Sequence, residues 1–242
     1  MNYVIVIPAR LASSRLPRKP LAEICGKSML EHTYARVLEA APAEKVFIAT
    51  DSDEILQVCE KFGAQVVMTS SDCLTGTDRI AEFAKKVSAD VYINVQGDEP
   101  LMVPGDIKAV IKAGLAAPTS IINGWAWIET EAEFRSRTIP KVIIRQDGLM
   151  MYMSRAPIPG SKDNKFQFSR KQICVYSFPR KALAAFAKNG GKTPHEGAED
   201  IEILRFAEMG WEVQMIELSG TSIAVDTPED LERVRKIMAK RS

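Results

Sequence analysis

Residues 4–21, VIVIPARLASSRLPRKPL, place an apolar strand directly before a loop that carries four cations and three prolines. The run at residues 3–7 is β-branched or aromatic without a polar break, which predicts a strand buried on both faces, as in a parallel sheet. Ligands of open α/β sheets bind in the crevice outside the carboxyl ends of the strands, where this loop begins. The loop is therefore placed to hold a polyphosphate, although a solvated loop whose cations serve solubility fits the composition equally well.

Strand-like and helix-like segments alternate through the first half of the chain. The pattern predicts strands at residues 45–50, 65–68 and 91–95 and helices at residues 28–41 and 104–115. Asp51 is expected to cap the helix that follows the second strand. The alternation predicts an α/β fold, a three-layer α/β/α sandwich around a mostly parallel, Rossmann-like sheet. No GxGxxG follows any of these strands. An enzyme that binds a dinucleotide and transfers hydride is therefore disfavoured.

Length and composition exclude several classes of protein. With 242 residues and 46% hydrophobic content, the chain can bury a sizeable core, and we expect a single domain over residues 1–242. Lys and Arg total 32 against 31 Asp and Glu. The chain therefore has no excess of positive charge that would favour binding to nucleic acid or to an anionic membrane. The cysteines lack metal-ligand spacing and predict reduced thiols. No apolar run reaches membrane-spanning length and no signal segment precedes the first strand, so we expect a cytoplasmic protein without membrane insertion.

Two carboxylates, Asp98 and Asp226, each follow a strand-like segment. Asp98 lies in QGDEP, where a carboxylate suits Mg²⁺, a hard cation that binds one or two carboxylates together with substrate phosphates. The same residue types also favour an ordinary turn. In IAVDTPEDL, Thr227, Pro228 and Asp230 are accounted for by a helix start with a capping box. That capping pattern leaves Asp226 unexplained.

Five motifs, in their order along the chain, resemble those of the sugar-acid cytidylyltransferases, and specifically the 3-deoxy-manno-octulosonate (Kdo) cytidylyltransferases. They are IPAR-x-x-S-x-R-LP-x-KPL from residue 7, TGTDR from residue 75, NVQGDEP from residue 94, SRA-x-IP from residue 154 and VDTPEDL from residue 225. The resemblance implies an enzyme, a nucleotidyltransferase that moves CMP from CTP to the anomeric hydroxyl of a 3-deoxy-ulosonic acid, with Kdo as the expected acceptor, and releases pyrophosphate. It also implies Mg²⁺ as the cofactor, a homodimer, and a product used for lipopolysaccharide or other surface polysaccharide.

The resemblance also implies how the chain divides and which residues act. Residues 1–117 and about 196–242 would form a core that binds CTP and Mg²⁺, and residues of about 118–195 a smaller mixed-sheet extension for the acceptor pocket and dimerisation. The catalytic residues implied are Asp98, Asp226, Lys19 and Arg15, with the two aspartates as the metal ligands. The nucleotide contacts implied are Ala9, Arg10, Ser13, Arg15, Lys19, Asp72, Thr75, Gly76, Thr77, Arg79 and Gln96. The acceptor contacts implied are Gln96, Glu99, Arg155, Gln172, Tyr176 and Glu202.

The chain departs from the family pattern at a few positions. Gln172 and Cys174 stand where the family usually has His and Gly, and Ile203 stands where it has Gln. A pocket with altered polar partners discriminates between substrates, so the acceptor could be an 8-amino-Kdo, a nine-carbon ulosonic acid or a phosphonate. Arg18 replaces a usual Gly, and its charge would either strengthen triphosphate binding or face solvent. A non-catalytic nucleotide-binding protein with the same fold is the remaining alternative.

Overall fold

The computed structural model describes residues 1–13 and 15–240. Its strands are β1 (Tyr3–Ala9), β2 (Glu23–Ile24), β3 (Lys27–Ser28), β4 (Val46–Thr50), β5 (Gln65–Met68), β6 (Val91–Val95), β7 (Ile121–Trp127), β8 (Lys141–Ile144), β9 (Met150–Ser154), β10 (Arg170–Pro179) and β11 (Val213–Glu217). Its α-helices are α1 (Met29–Leu38), α2 (Asp53–Lys61), α3 (Gly76–Lys86), α4 (Pro104–Ala116), α5 (Glu131–Arg135), α6 (Arg180–Lys188), α7 (Pro194–Glu199), α8 (Ile203–Glu208) and α9 (Pro228–Ala239). Short 3₁₀ turns lie at Lys19–Leu21 and Ala43–Lys45.

A single mixed sheet organises the chain in the order β11-β7-β10-β6-β1-β4-β5. The strands β6, β1, β4 and β5 are mutually parallel, and β11 is parallel to β7. β10 runs antiparallel to its neighbours β6 and β7; β8 pairs antiparallel with β10, and β9 pairs antiparallel with β8. The predicted strands at residues 45–50, 65–68 and 91–95 are confirmed, with the first beginning one residue later than expected.

Helices cover both faces of the sheet, which confirms the predicted α/β/α sandwich. One core joins side chains of α3, α6 and α8 to the sheet, with Phe83, Tyr92 and Phe178 at its centre. The opposite core joins α1, α2 and α4 to the sheet through residues such as Ile5 and Ile93. Because β1 and β6 bury side chains on both faces, their sequences are apolar rather than alternating, with Asn94 of β6 as an exception.

One of the two expected helix caps is present and the other is wrong. Thr227 and Asp230 form the predicted capping box at the start of α9, and Thr75 caps α3. The predicted cap by Asp51 is replaced by Ser52, whose Oγ accepts from the backbone N–H of Ile55 at 3.4 Å. Asp51 instead pairs with the buried guanidinium of Arg79 at 3.1 Å, because that cation is the stronger partner for a carboxylate.

The strands β8 and β9 extend the sheet beyond its central order. β9 pairs with β8 only, apart from an isolated bridge, so among the described strands it lies at an edge. The antiparallel pairing of β10 with β7 is interrupted by a bulge between Ile173 and Tyr176, which lies beside the cleft. Within residues 1–13 and 15–240, no helix combines the length and apolarity needed to cross a bilayer.

Candidate active site

A cleft of about 980 Å³ opens at the carboxyl ends of β1 and β6. Its walls come from the loop after β1, the start of α3, the turn after β6, the strand β10 and the long loop between β11 and α9. Parallel strands end at the same edge of a sheet, so loops that are distant in sequence meet here. The cleft therefore lies where the sequence predicts a ligand.

Lys19, Asp98 and Asp226 converge at one side of the cleft. The Nζ of Lys19 lies 2.5 Å from Oδ2 of Asp98 and 3.1 Å from Oδ1 of Asp226. Nη2 of Arg15 donates to the same Oδ1 of Asp226 at 3.1 Å. Burial alone would lower the pKa of Lys19, but the two carboxylates outweigh it and raise that pKa. The two carboxylates that share the Lys19 ammonium present several oxygen atoms at one place. These oxygens suit an ammonium group or a metal ion.

Backbone contacts bring the two aspartates together. The N–H of Val225 donates to the carbonyl oxygen of Asp98 at 2.9 Å, which ties the loop before α9 to the turn after β6. Gly97 allows that turn to pack tightly against β1, since a Cβ there would lie 2.9 Å from the carbonyl oxygen of Pro8. The sequence thus places a glycine where the turn after β6 packs against the end of β1.

Glu99 lies deeper in the same wall and is 4% exposed. Burial raises the pKa of Glu99 to about 7, and the charges of Asp98 and Asp226 act in the same direction. Ser222 opposes this shift, because its hydroxyl donates a short hydrogen bond to Oε2 of Glu99. Glu99 therefore faces the carboxylate pair with a hydrogen-bonded carboxyl group.

Most residues predicted to contact the nucleotide line the cleft: Ala9, Arg10, Ser13, Arg15, Lys19, Thr75, Gly76, Arg79 and Gln96. Arg79 is 2% exposed and pairs with Asp51 and Thr69, so its guanidinium is already engaged within the protein. Asp72 and Thr77 do not line the cleft. Asp72 lies in an exposed turn, and Thr77 is buried in the first turn of α3.

All six predicted acceptor contacts line the cleft, and two of them, Gln172 and Tyr176, lie on β10. Nε2 of Gln172 donates to Oδ1 of Asn123 at 3.0 Å and to the hydroxyl of Tyr176 at 3.1 Å. Burial raises the pKa of Tyr176 well above its ordinary value, so the phenol stays protonated. Glu202 lines the cleft, but its carboxylate accepts from the backbone N–H groups of Gly76 at 3.2 Å and Thr77 at 2.8 Å.

Ile203 does not belong to this pocket. It is 1% exposed, packs in the core with α3 and α6, and does not line the cleft. Gln172 and Cys174, in contrast, both line the cleft. Of the departures from the family pattern around the acceptor, these two can touch the substrate.

Sequence reasoning missed the loop between β11 and α9, apart from Asp226. Ser219 donates from its backbone N–H and its hydroxyl to the carboxylate of Asp106, at 3.0 and 2.6 Å, and Ser222 lies next to Glu99. The sequence carried a signal for this loop, because small polar residues follow the carboxyl end of the strand β11. Asp106 could not be identified in the same way, since it lies in α4 and reaches the loop only in the folded protein.

Comparison with known proteins agrees with the fold. A family model described as cytidylyltransferase matches residues 4–214. The 3-deoxy-manno-octulosonate cytidylyltransferase of Geobacter metallireducens is 41% identical over 97% of this chain and 96% of its own length. The Escherichia coli protein of the same name is 38% identical over 98% of this chain and 96% of its own. A solved CMP:2-keto-3-deoxy-manno-octonic acid synthetase complexed with CTP superposes with a TM-score of 0.92 at 36% identity, covering both chains completely.

The sheet, the cationic loop and the carboxylates at its carboxyl edge together define a nucleotidyltransferase of the α/β/α class. Sequence identities of 41% and 38% over nearly the whole chain narrow the assignment from this class to one family. The chain belongs to the cytidylyltransferase family, in the group of the 3-deoxy-manno-octulosonate cytidylyltransferases.

Proposed function

We propose that this protein transfers CMP from CTP to the anomeric hydroxyl of Kdo. The observation that carries the proposal is the meeting of Lys19, Asp98 and Asp226 in a cleft that continues to Gln172 and Tyr176. The cleft thus combines cations and carboxylates for a metal-bound triphosphate with neutral polar groups on β10 for a sugar. The names of the full-length relatives support Kdo as the acceptor.

The reaction forms one bond and breaks one. The anomeric oxygen attacks the α-phosphorus of CTP, the bond to the β-phosphate oxygen breaks, and pyrophosphate leaves while the hydroxyl proton passes to solvent. Arg10, Arg15 and Lys19 line the cleft on the triphosphate side, where they would neutralise charge on the leaving phosphates. Gln96 also lines the cleft and would help to hold the reacting groups in line.

Asp98 and Asp226 would hold Mg²⁺, and their arrangement fits that ion. Both carboxylates already share one cation, the Lys19 ammonium, and no third acidic or histidine ligand joins them in the described part of the chain. Mg²⁺ prefers this kind of site, with one or two carboxylates, substrate phosphates and water. When bound, the ion neutralises phosphate charge and lowers the pKa of a nearby hydroxyl.

We also propose a cytoplasmic homodimer that supplies CMP-Kdo for lipopolysaccharide synthesis. The edge strand β9 exposes Met151 (62%) and Tyr152 (37%), and Trp127 (45%) and Phe168 (53%) are exposed apolar residues of the same extension. Apolar side chains on an edge strand favour association with another chain. Light scattering should give twice the mass of one chain, and M151D should shift it to the mass of the monomer.

Pyrophosphate release with CTP and Mg²⁺ tests the proposed function. The acceptor panel should hold Kdo, 8-amino-Kdo, a nine-carbon ulosonic acid and a phosphonate. We expect turnover with Kdo, and loss of at least a hundredfold in D98N, because a carboxylate that holds the metal acts on the transition state. Turnover with another acid alone would move the function to that acceptor, and CTP binding without turnover on any acid would show a binding protein.

A further inference from the structure

Two side-chain amides link the bulge in β10 to the cleft. Asn123 of β7 is fully buried, and its Nδ2 donates to the carbonyl oxygens of Ile173 at 2.9 Å and Val175 at 3.0 Å. These carbonyl groups lie at the bulge, where the regular pairing of β10 with β7 is interrupted. A carbonyl oxygen can only accept, so the amide nitrogen of Asn123 must face the bulge and its Oδ1 must face away from it.

The orientation of Asn123 fixes that of Gln172. Oδ1 of Asn123 is also only an acceptor, and Nε2 of Gln172 donates to it at 3.0 Å. The second hydrogen on Nε2 goes to the hydroxyl of Tyr176 at 3.1 Å. Both N–H donors of the Gln172 amide are therefore used inside the protein, and the reversed orientation would set two oxygen atoms against each other.

The remaining polar atom of the Gln172 side chain is Oε1. Gln172 is 8% exposed and lines the cleft, and among the described residues none donates to its Oε1. Oε1 is not one of the buried side-chain atoms that lack a partner, so a molecule in the cleft can reach it. Gln172 thus offers the cleft a neutral hydrogen-bond acceptor and no donor.

We propose that Gln172 determines acceptor specificity by accepting a hydrogen bond from a hydroxyl or amino group of the sugar acid, and that Asn123 is the positioning residue that sets this polarity. The inference rests on the proposed function, and it names the kind of group that the acceptor must carry. A histidine at this position could donate or accept, whereas a glutamine held in this way can only accept. A substrate that covers Oε1 without donating to it leaves a buried acceptor unpaired, and such a site rejects that substrate strongly.

Kinetics of Q172L test the contact, because leucine removes the acceptor atom and keeps much of the volume. We expect the KM for Kdo to rise about tenfold and the KM for CTP to stay within about twofold. N123L should also raise the KM for Kdo, because the Gln172 amide loses its fixed orientation, and N123L/Q172L should be no worse than Q172L alone. Q214L is the matched control and should change neither KM, since Gln214 is half buried in β11 of the same sheet and does not line the cleft.

NMR of protein with isotope-labelled glutamine tests the polarity directly. The Gln172 signals are those that disappear in Q172L. Kdo is added together with CMP, which has no pyrophosphate to release, so no reaction follows. We expect the side-chain carbonyl carbon of Gln172 to move downfield, because its oxygen now accepts a hydrogen bond. The Nε2 protons should exchange slowly with water before and after the addition, because they stay bonded to Asn123 and Tyr176.

Several results would overturn the inference. An unchanged KM for Kdo in Q172L would remove the contact, and equal losses toward CTP and Kdo would reduce the network to a structural role. Fast exchange of the Nε2 protons, or an unmoved carbonyl signal, would give Gln172 the opposite polarity or no contact. Additive losses in N123L/Q172L would remove the positioning role of Asn123.

The outcome does not depend on one variant or on turnover. If N123L does not fold, slow exchange of the Nε2 protons in the parent protein still decides whether the amide is held by Asn123 and Tyr176. If the parent protein turns over no acid on the panel, the proposed function fails by itself. The carbonyl signal of Gln172 with Kdo and CMP then still decides the inference.

Discussion

Arg205 is the residue whose loss should cost the most stability. It is 1% exposed, and its guanidinium binds Glu196 at 2.6 and 2.7 Å and Asp78 at 2.8 and 3.3 Å, so it joins α8 to α7 and to the start of α3. R205M keeps most of the side-chain volume but leaves the fully buried carboxylate of Glu196 without its cation. Breaking a buried pair in this way costs about 3–5 kcal/mol, which corresponds to a Tm lower by roughly 10 °C.

Urea unfolding of R205M and of a control tests this value. R145M is the control, because Arg145 also contacts two carboxylates but is 48% exposed, and its loss should cost no more than about 1 kcal/mol. The double variant E196Q/R205M should recover a large part of the loss, since the buried charge is then gone. A cost below about 1 kcal/mol for R205M, or no recovery in the double variant, would refute the reasoning.

Three further predictions concern packing, metal and pH. G114A should lose about 1–3 kcal/mol in urea unfolding, because its Cβ would lie 2.1 Å from Oγ of Ser177, and G114A/S177G should recover most of that loss. K19M should bind Mn²⁺ without nucleotide more tightly than the parent does in calorimetry, because the Lys19 ammonium no longer competes for the carboxylates; equal affinity would contradict this. Burial would raise the pKa of Glu208, but hydrogen bonds, including those from His195, lower it from 4.5 to about 2. Its contribution to stability is therefore full above pH 4.5 and lost as pH falls toward 2, and E208Q should show a flatter acid dependence of Tm in that window.

The sheet could be predicted, and Asp98 and Asp226 could be placed at its carboxyl edge, because these signals are local. The strand at residues 91–95 is an apolar run, and a polar turn with Asp98 follows it directly, so periodicity and position at the sheet edge sufficed. The capping box of α9 is equally local. Asp226 is the residue of that motif which the capping box does not explain. These features need no knowledge of what packs against them.

Features that depend on distant partners could not be predicted. Asp51 was expected to cap a helix, but Arg79 from another helix takes its carboxylate. The departure at Ile203 suggested a changed pocket, yet the side chain turns into the core. Whether a side chain faces substrate or protein depends on contacts across the fold, and residue type alone does not settle it. The roles of the individual site residues toward CTP, Mg²⁺ and acceptor remain predictions for the experiments above.

The hydrogen bond from Val225 to Asp98 has a consequence for the order in which the protein matures during synthesis. Chains fold from the N-terminal side as they emerge from the ribosome, and every strand of the main sheet is complete at Glu217. A nascent chain of that length can hold its sheet and expose Asp98, but it has no second carboxylate and no α9. Asp226 is therefore made only after all strands of the main sheet, so the pair of aspartates that we propose to hold the metal is among the last parts of the site to be completed.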